Sequence, residues 1–243
     1  MIELLGIGVP RPGGGWLLHR VCATLEAGEL TVVTSADAAE RHALLDAITG
    51  RPVATEGRVW IDRVPVMAAT SSRVRRLCAE IDPAAGLVER RSLFWNALAP
   101  AAGPRALGRL LRLPRRGERE AVLAALQRVG LGASADAPLA GLSPFDRMRF
   151  LIARALVRRP LNLVVRELDA AVGPEDVGGL LALLRLLARH DRLGIVVGLR
   201  DGAGGQGFAD RVLVVGEGLL LFHGRPEQLG ERHVTWRTGA LGR

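Results

Sequence analysis

The chain has 243 residues, 49% of them hydrophobic, with 33 basic against 25 acidic side chains and a formal net charge of +8. That is enough apolar material to bury a full core, and it excludes a disordered tail or a collagen-like rod. Lysine is absent, so every basic residue is arginine, and chemistry that needs a lysine amine, from Schiff bases to the lysine grip of a phosphate loop, is closed to the chain.

Ile2 to Ile7 is mostly apolar and reads as a strand, Gly13-Gly14-Gly15 turns, and Leu17 to Leu25 alternates as a second strand. Leu30 to Thr34 (LTVVT) is a β-branched run of the kind buried inside a sheet. Ala38 to Ile48 carries helix formers behind Asp37 and stops at Gly50. Gly57 to Ile61 and Val64 to Val66 form a hairpin around Asp62-Arg63. The middle is helical in pattern, with helices over Leu93 to Leu113 and Arg119 to Val129 and a third starting at Ser143-Pro144 and running to Arg158. Sheet signals then return: Leu161 to Val165, a helix over Glu175 to Arg189, Gly194 to Leu199, and a last hairpin around Gly216-Glu217-Gly218. The order predicts one α/β domain: residues 1–81 and 160–229 as core, 82–159 as an inserted helical subdomain, and 230–243 as a tail.

Other function classes fall on simple grounds. Cys22 and Cys78 lie far apart without metal-ligand spacing, so a structural disulfide or zinc site is not expected and a reducing compartment is. The arginines are spread through helices and loops with no stacking box or basic tail, which reads as a solvated surface rather than a nucleic-acid site. The longest apolar stretch, Gly178 to Ala188, is interrupted by Arg185 and is too short to span a membrane, and the N-terminus has no charged-then-apolar signal pattern. The expectation is a cytoplasmic chain without membrane insertion, any membrane association being through a partner.

The phrases LEAGELTVV, ALLDAITG, TEGRVWIDRVPV, LQRVGL, LSPFDRMRFLIARALVRRP and FADRVLVVGEGLLLFHGRPEQL, in that order, resemble the ATP-binding subunit of ABC transporters, nearest to the importer type that serves phosphonates. The resemblance implies the P-loop NTPase-like ABC ATPase fold: a RecA-like α/β core, an N-terminal antiparallel β region and an inserted helical subdomain.

At the positions of the phosphate loop the chain reads Ser35-Ala36-Asp37-Ala38-Ala39-Glu40-Arg41-His42. The framing glycines are gone, Glu40 brings a carboxylate to the phosphate nest, Arg41 stands for the lysine and His42 for the magnesium-binding hydroxyl. A plain capped helix start, with Asp37 and Glu40 favourable at its N-terminus, explains the same residues. Arg166-Glu167 replaces the Asp-Glu pair; Glu167 holds the place of the general base and is more cheaply explained as half of a structural ion pair, with Arg166 or Arg200. The signature loop becomes Leu142-Ser143-Pro144-Phe145-Asp146, Arg200 falls on the switch histidine, and Ala170-Ala171-Val172-Gly173 replaces Ser-x-Leu-Asp. The glutamine loop falls near Asp82, and Trp16 is several residues late for adenine stacking at Pro10 to Pro12.

With those motifs altered together, the expectation is that Arg41, Arg166 and Arg200 converge where triphosphate and metal would sit, with Asp37, Glu40 and Glu167 among them. The functional expectation that follows is a catalytically inactive pseudo-ATPase, not an enzyme, serving as scaffold subunit of a larger complex, with no cofactor. One alternative is a nucleotide-binding subunit of an importer-like ABC transporter, docking on a membrane permease and taking Mg-ATP. Another is a weak ATP- or anion-binding protein. The partner is another protein subunit, either ABC-type or a permease. The segment Gly86 to Trp95 falls where the resemblance puts the partner groove, so Leu87, Arg90, Arg91 and Trp95 are the expected docking residues.

Overall fold

The computed structural model describes residues 1–51, 54–83, 87–98, 114–205 and 207–229. Contacts divide the chain into two units, Met1–Glu80 together with Pro160 onward, and Ile81–Arg159.

In the first unit an antiparallel sheet has the order β2-β1-β4-β5, built from β1 (Ile2–Pro10), β2 (Trp16–Leu25), β4 (Glu56–Ile61) and β5 (Val64–Pro65). The ladder of β1 is irregular around Gly6. There Gly57, at φ 84°, lies so close that a Cβ on it would sit 2.4 Å from the Gly6 carbonyl oxygen, so glycine is required. The larger sheet has the order β10-β9-β3-β8-β7-β6. Its strands are β3 (Leu30–Ser35), β6 (Cys78–Ile81), β7 (Asn162–Val165), β8 (Gly194–Leu199), β9 (Arg211–Gly216) and β10 (Leu219–Gly224). Strand β3 runs parallel to β8 and β9, and β7 parallel to β8. Every residue of β3, β7 and β8 is buried, as continuous β-branched runs require of strands covered on both faces.

Helix α1 (Ala38–Thr49) follows β3 after two residues. Asp37 caps it by accepting from the Ala39 N–H at 2.7 Å, and Gly50 closes it in the left-handed region at φ 77°. Leu44, Leu45 and Ile48 bury themselves in a core shared with Ile2, Leu4, Ile7 and Leu18 of the antiparallel sheet and Val33, Val164 and Leu213 of the larger one. Each such side chain contributes roughly 2 kcal/mol through burial. Helix α2 (Ser71–Leu77), which the polar run SSRVRRL does not announce, leads into β6, and the short α6 (Leu168–Ala171) and long α7 (Pro174–Asp191) follow β7.

The second unit holds α3 (Leu93–Leu98), α4 (Arg116–Arg128) and α5 (Pro144–Leu156) around buried Leu93, Phe94, Val122, Leu126, Phe150 and Ile152. Ser143 caps α5, accepting from the Asp146 N–H at 3.1 Å with proline in the first turn. The helix ends at Leu156, two residues short of the Arg158 expected from the pattern. Gly86, residues 99–113 of the expected long helix and the 230–243 tail lie outside the described residues. Among the described residues no helix is long and apolar enough to cross a membrane.

Candidate functional site

The C-terminal ends of β3, β7 and β8 bring the altered motif residues of the first unit together. Strand β3 ends on Ser35, and the first turn of α1 carries Glu40, Arg41 and His42. Glu167 follows β7 with φ 42° and ψ 55°, a left-handed conformation that a side chain other than glycine adopts only when its surroundings hold it. What holds it is charge. Its Oε1 accepts from Arg41 Nη2 at 2.7 Å and faces His42 Nε2 at 2.9 Å, while Oε2 accepts from Arg200 Nη2 at 3.2 Å. Burial pushes the Glu167 carboxyl up, but the hydrogen bonds from Arg41, Arg200 and His42 win and hold it down at about 2.

Arg41 is the buried member, its side chain 3% exposed. Besides Glu167 it donates through Nη1 to the Ser35 carbonyl at 3.0 Å, and its Nε is buried without a partner. Arg200 is well exposed, and its position is fixed by Asp169, whose Oδ2 accepts from the backbone N–H groups of Arg200 at 2.8 Å and Asp201 at 3.0 Å.

Glu40 lies in a second, adjoining nest. It is buried, accepts from Ser35 Oγ at 2.9 Å and from the Gly218 N–H at 2.9 Å, and has Arg11 Nη2 at 3.4 Å. Gly218 is presented by the β9–β10 turn, where Glu217 and Gly218 both have positive φ. Arg11 also binds Asp37 at 2.7 Å, and that bond, with the Ala39 N–H, lowers the Asp37 carboxyl below its ordinary range.

The expected convergence of three arginines holds for Arg41 and Arg200 and fails for Arg166. Neighbouring residues leaving a strand point to opposite sides, and Arg166 turns away to bind Asp46 of α1 and Glu80 of β6. Burial would lower the Arg166 guanidinium, and the two carboxylates outweigh it and raise it. Arg51 closes the group, 2.6 Å from Glu80 and 3.6 Å from Asp46. Of the two partners expected for Glu167, Arg200 is the one it binds and Arg166 is not, and Asp37 and Glu40 pair with Arg11 instead of the expected arginines. Arg11, Asp46, Glu80, Asp169 and Gly218 escaped the sequence reading; only the turn signal at Gly218 marked any of them.

In the helical unit, Asp146 is held by Arg149 at 2.7 Å, the Arg149 guanidinium also lies over the Phe145 ring at 5.6 Å, and Leu142 precedes the exposed Ser143. Leu87 and Trp95 are half-buried, and Arg90 and Arg91 are exposed. Buried Asn96 stitches this segment to α3 by accepting from the Val88 N–H at 3.0 Å and donating to the carbonyls of Val88 at 2.9 Å and Arg91 at 3.1 Å. Among the described residues no group of three or more His, Cys, Asp or Glu side chains could hold a metal ion.

A parallel sheet whose strand ends meet a helix N-terminus, joined to an antiparallel sheet, is the architecture of a nucleotide-binding cassette. Solved cassettes share it. The chain matches cbiO1 of Clostridium perfringens, part of the ABC transporter complex cbiONQ, with a TM-score of 0.82 at 22% identity, covering 95% of this chain and 90% of that one. It matches a nucleotide-free ATP-binding cassette from an ABC transporter with a TM-score of 0.79 at 18% identity, covering 95% and 94%. No protein-family profile matches the chain. In sequence it is 30% identical over 233 residues to the phosphonates import ATP-binding protein PhnC 2 of Cupriavidus metallidurans, covering 94% of this chain and 83% of the relative. It is 31% identical over 237 residues to PhnC 1 of Natronomonas pharaonis, covering 97% and 98%. The phosphite import ATP-binding protein PxtA of Stutzerimonas stutzeri is 30% identical over 230 residues, covering 94% and 83%. The chain belongs to the family of ABC transporter ATP-binding subunits.

These relatives correct the functional expectation. The expectation of a catalytically inactive scaffold that is no enzyme rests on motif positions alone, whereas the proteins that match along nearly the whole chain are named as ATP-binding importer subunits. The altered residues do not by themselves establish a loss of activity, and the expectation of no cofactor falls with the scaffold reading.

Proposed function

We propose that the chain is the nucleotide-binding subunit of an importer-type ABC transporter for phosphonate- or phosphite-class anions, cytoplasmic and docked on a membrane permease. The observation that carries this reading is the full-length relationship to import ATP-binding proteins at about the same identity across separate organisms. The ABC fold and the cluster at the end of β3 are consistent with it.

The residues fit the phosphate end of a nucleotide. Arg41 has a buried Nε without a partner, and Arg200 reaches the same carboxylate from the solvent side. In this reading phosphate oxygens take over from Glu167 as the acceptors for Arg41 and Arg200, with charge-assisted bonds of the same kind. Magnesium fits less well: its hydroxyl ligand is replaced by His42, and the aspartate of its shell by Arg166, which is committed to Asp46 and Glu80.

The permease would meet the Leu87–Trp95 segment, whose exposed Arg90 and Arg91 stand on a loop made rigid by Asn96. Purification of the chain from its native host tests the reading. A membrane permease should accompany it, and the complex should bind ATP and hydrolyse it faster when a phosphonate is presented. A complex with no membrane subunit would overturn the proposal. The double change Arg90→Glu and Arg91→Glu should release the permease and leave the isolated chain folded; a complex that survives it places the contact elsewhere.

A further inference from the structure

Glu40 is a buried carboxylate that behaves as a ligand. It sits in the first turn of a twelve-residue helix, where peptide dipoles favour an anion, and its two oxygens take up a hydroxyl from Ser35, a backbone N–H from Gly218 and the edge of the Arg11 guanidinium. These donors come from three separate stretches of chain, β1 and its turn, the end of β3, and the β9–β10 turn. Without an anion between them, the Gly218 N–H and Ser35 hydroxyl would be buried and unsatisfied. Next to this nest lies Arg41, almost wholly buried, with its Nε unpartnered. Arg41 thus keeps one buried donor that neither Glu40 nor Glu167 fills.

We propose that Glu40 is a built-in plug of this oxyanion nest, an autoinhibitory contact that a polyphosphate must displace before it can bind. The inference rests on the nucleotide-binding reading for its physiological ligand, while the nest itself is defined by the contacts above. A phosphate group and the Glu40 carboxylate need the same donors and repel each other at contact distance, so binding exchanges one anion for another. The plug lowers affinity without removing the site, and anything that draws Glu40 out, such as a partner cation near the β9–β10 turn, would open it.

The test uses the full chain and two variants, Glu40→Gly, which empties the nest, and Glu40→Gln, which keeps the shape and removes the charge. Calorimetric titration is done with inorganic tripolyphosphate and, separately, with ATP, neither with added metal. The proposal expects tripolyphosphate to bind Glu40→Gly more tightly than the parent by about tenfold or more, with Glu40→Gln in between. Amide exchange at Gly218 should become faster in unliganded Glu40→Gly and slow again when tripolyphosphate is added. Affinity that is unchanged or weaker in Glu40→Gly overturns the plug, as does an absence of binding in all three proteins. If ATP binds the parent and both variants equally well, the plug is wrong and the nucleotide-binding reading stands. If tripolyphosphate gains affinity and ATP binds no better than tripolyphosphate, the plug stands and adenine nucleotide is not the ligand.

Discussion

Removing the charge of Glu167 while keeping its shape should destabilise the chain sharply. In Glu167→Gln the guanidinium of Arg41, 3% exposed, loses its counter-charge and keeps only neutral acceptors, the Ser35 carbonyl and the amide oxygen that replaces the carboxylate. Arg200 and His42, 60% and 44% exposed, are screened by water and contribute little, so most of the effect belongs to Arg41. The magnitude can be approached from the proton equilibrium. A carboxyl held at about 2 against an ordinary 4.5 stabilises the folded chain at neutral pH by on the order of 3 kcal/mol. Truncating one member of a buried pair gives the same range, about 3–5 kcal/mol. For a domain of this size that lowers the melting temperature by roughly 6–12 °C. The pH profile adds a second readout. The folded carboxyl is depressed, so its stabilisation is complete above about 4.5 and fades as the pH falls toward 2. Denaturant melts of parent and variant should therefore differ at pH 7 and approach each other near pH 3. A difference under about 1 kcal/mol at pH 7, or one that does not change with pH, would refute the claim that Glu167 is held by its cations.

Two further outcomes follow from other contacts. Arg166→Met leaves Asp46 and Glu80 with the half-exposed Arg51 alone and should cost about 3 kcal/mol in urea unfolding; adding Asp46→Asn and Glu80→Gln should recover most of it, because the loss comes from uncompensated charge. Gly57→Ala forces a Cβ to within 2.4 Å of the Gly6 carbonyl at a positive φ and should cost more than about 2 kcal/mol, read as a lowered melting temperature, whereas Gly117→Ala, where a Cβ meets open space on α4, should not.

Much of the fold is written locally. LTVVT between Gly28-Glu29 and the cap at Asp37 can only be a short buried strand before a helix, and Gly50 marks that helix's end by the conformation it must adopt. The β9–β10 hairpin is legible from its glycines. Helix α2 and strand β6 are not, because SSRVRRL has one buried apolar residue, Val74, and owes its shape to its neighbours. Asp62, Arg63 and Glu167 adopt positive φ without being glycine, and Met1 and Asn162 help to hold Asp62 through contacts remote in sequence. Ion-pair partners are the least legible feature. Adjacency suggested Arg166 for Glu167, but the strand sends them apart, and the true partners lie 126, 125 and 33 residues away.

Function is hard to read at the altered motif positions for the same reason: the sequence shows which residue each position lacks, but not the partners that the residue in its place gains. Arg41 keeps a cation where the lysine charge would be, donates to Ser35 and Glu167, and has its Nε–H left to donate to a further acceptor. Because most donors of the ligand-free cluster already face carboxylates and the Arg41 Nε stays unfilled, an incoming phosphate gains little beyond the difference between its bonds and those it breaks. That makes affinity in this chain sensitive to Glu40 and Glu167 in separable ways. Loss of the Glu167 charge should show first in stability, since a buried cation is left behind. Loss of the Glu40 side chain should show first in polyphosphate affinity, since it leaves donors that a ligand can fill. A chain in which both changes acted on stability alone would have a structural ion network there and no anion site.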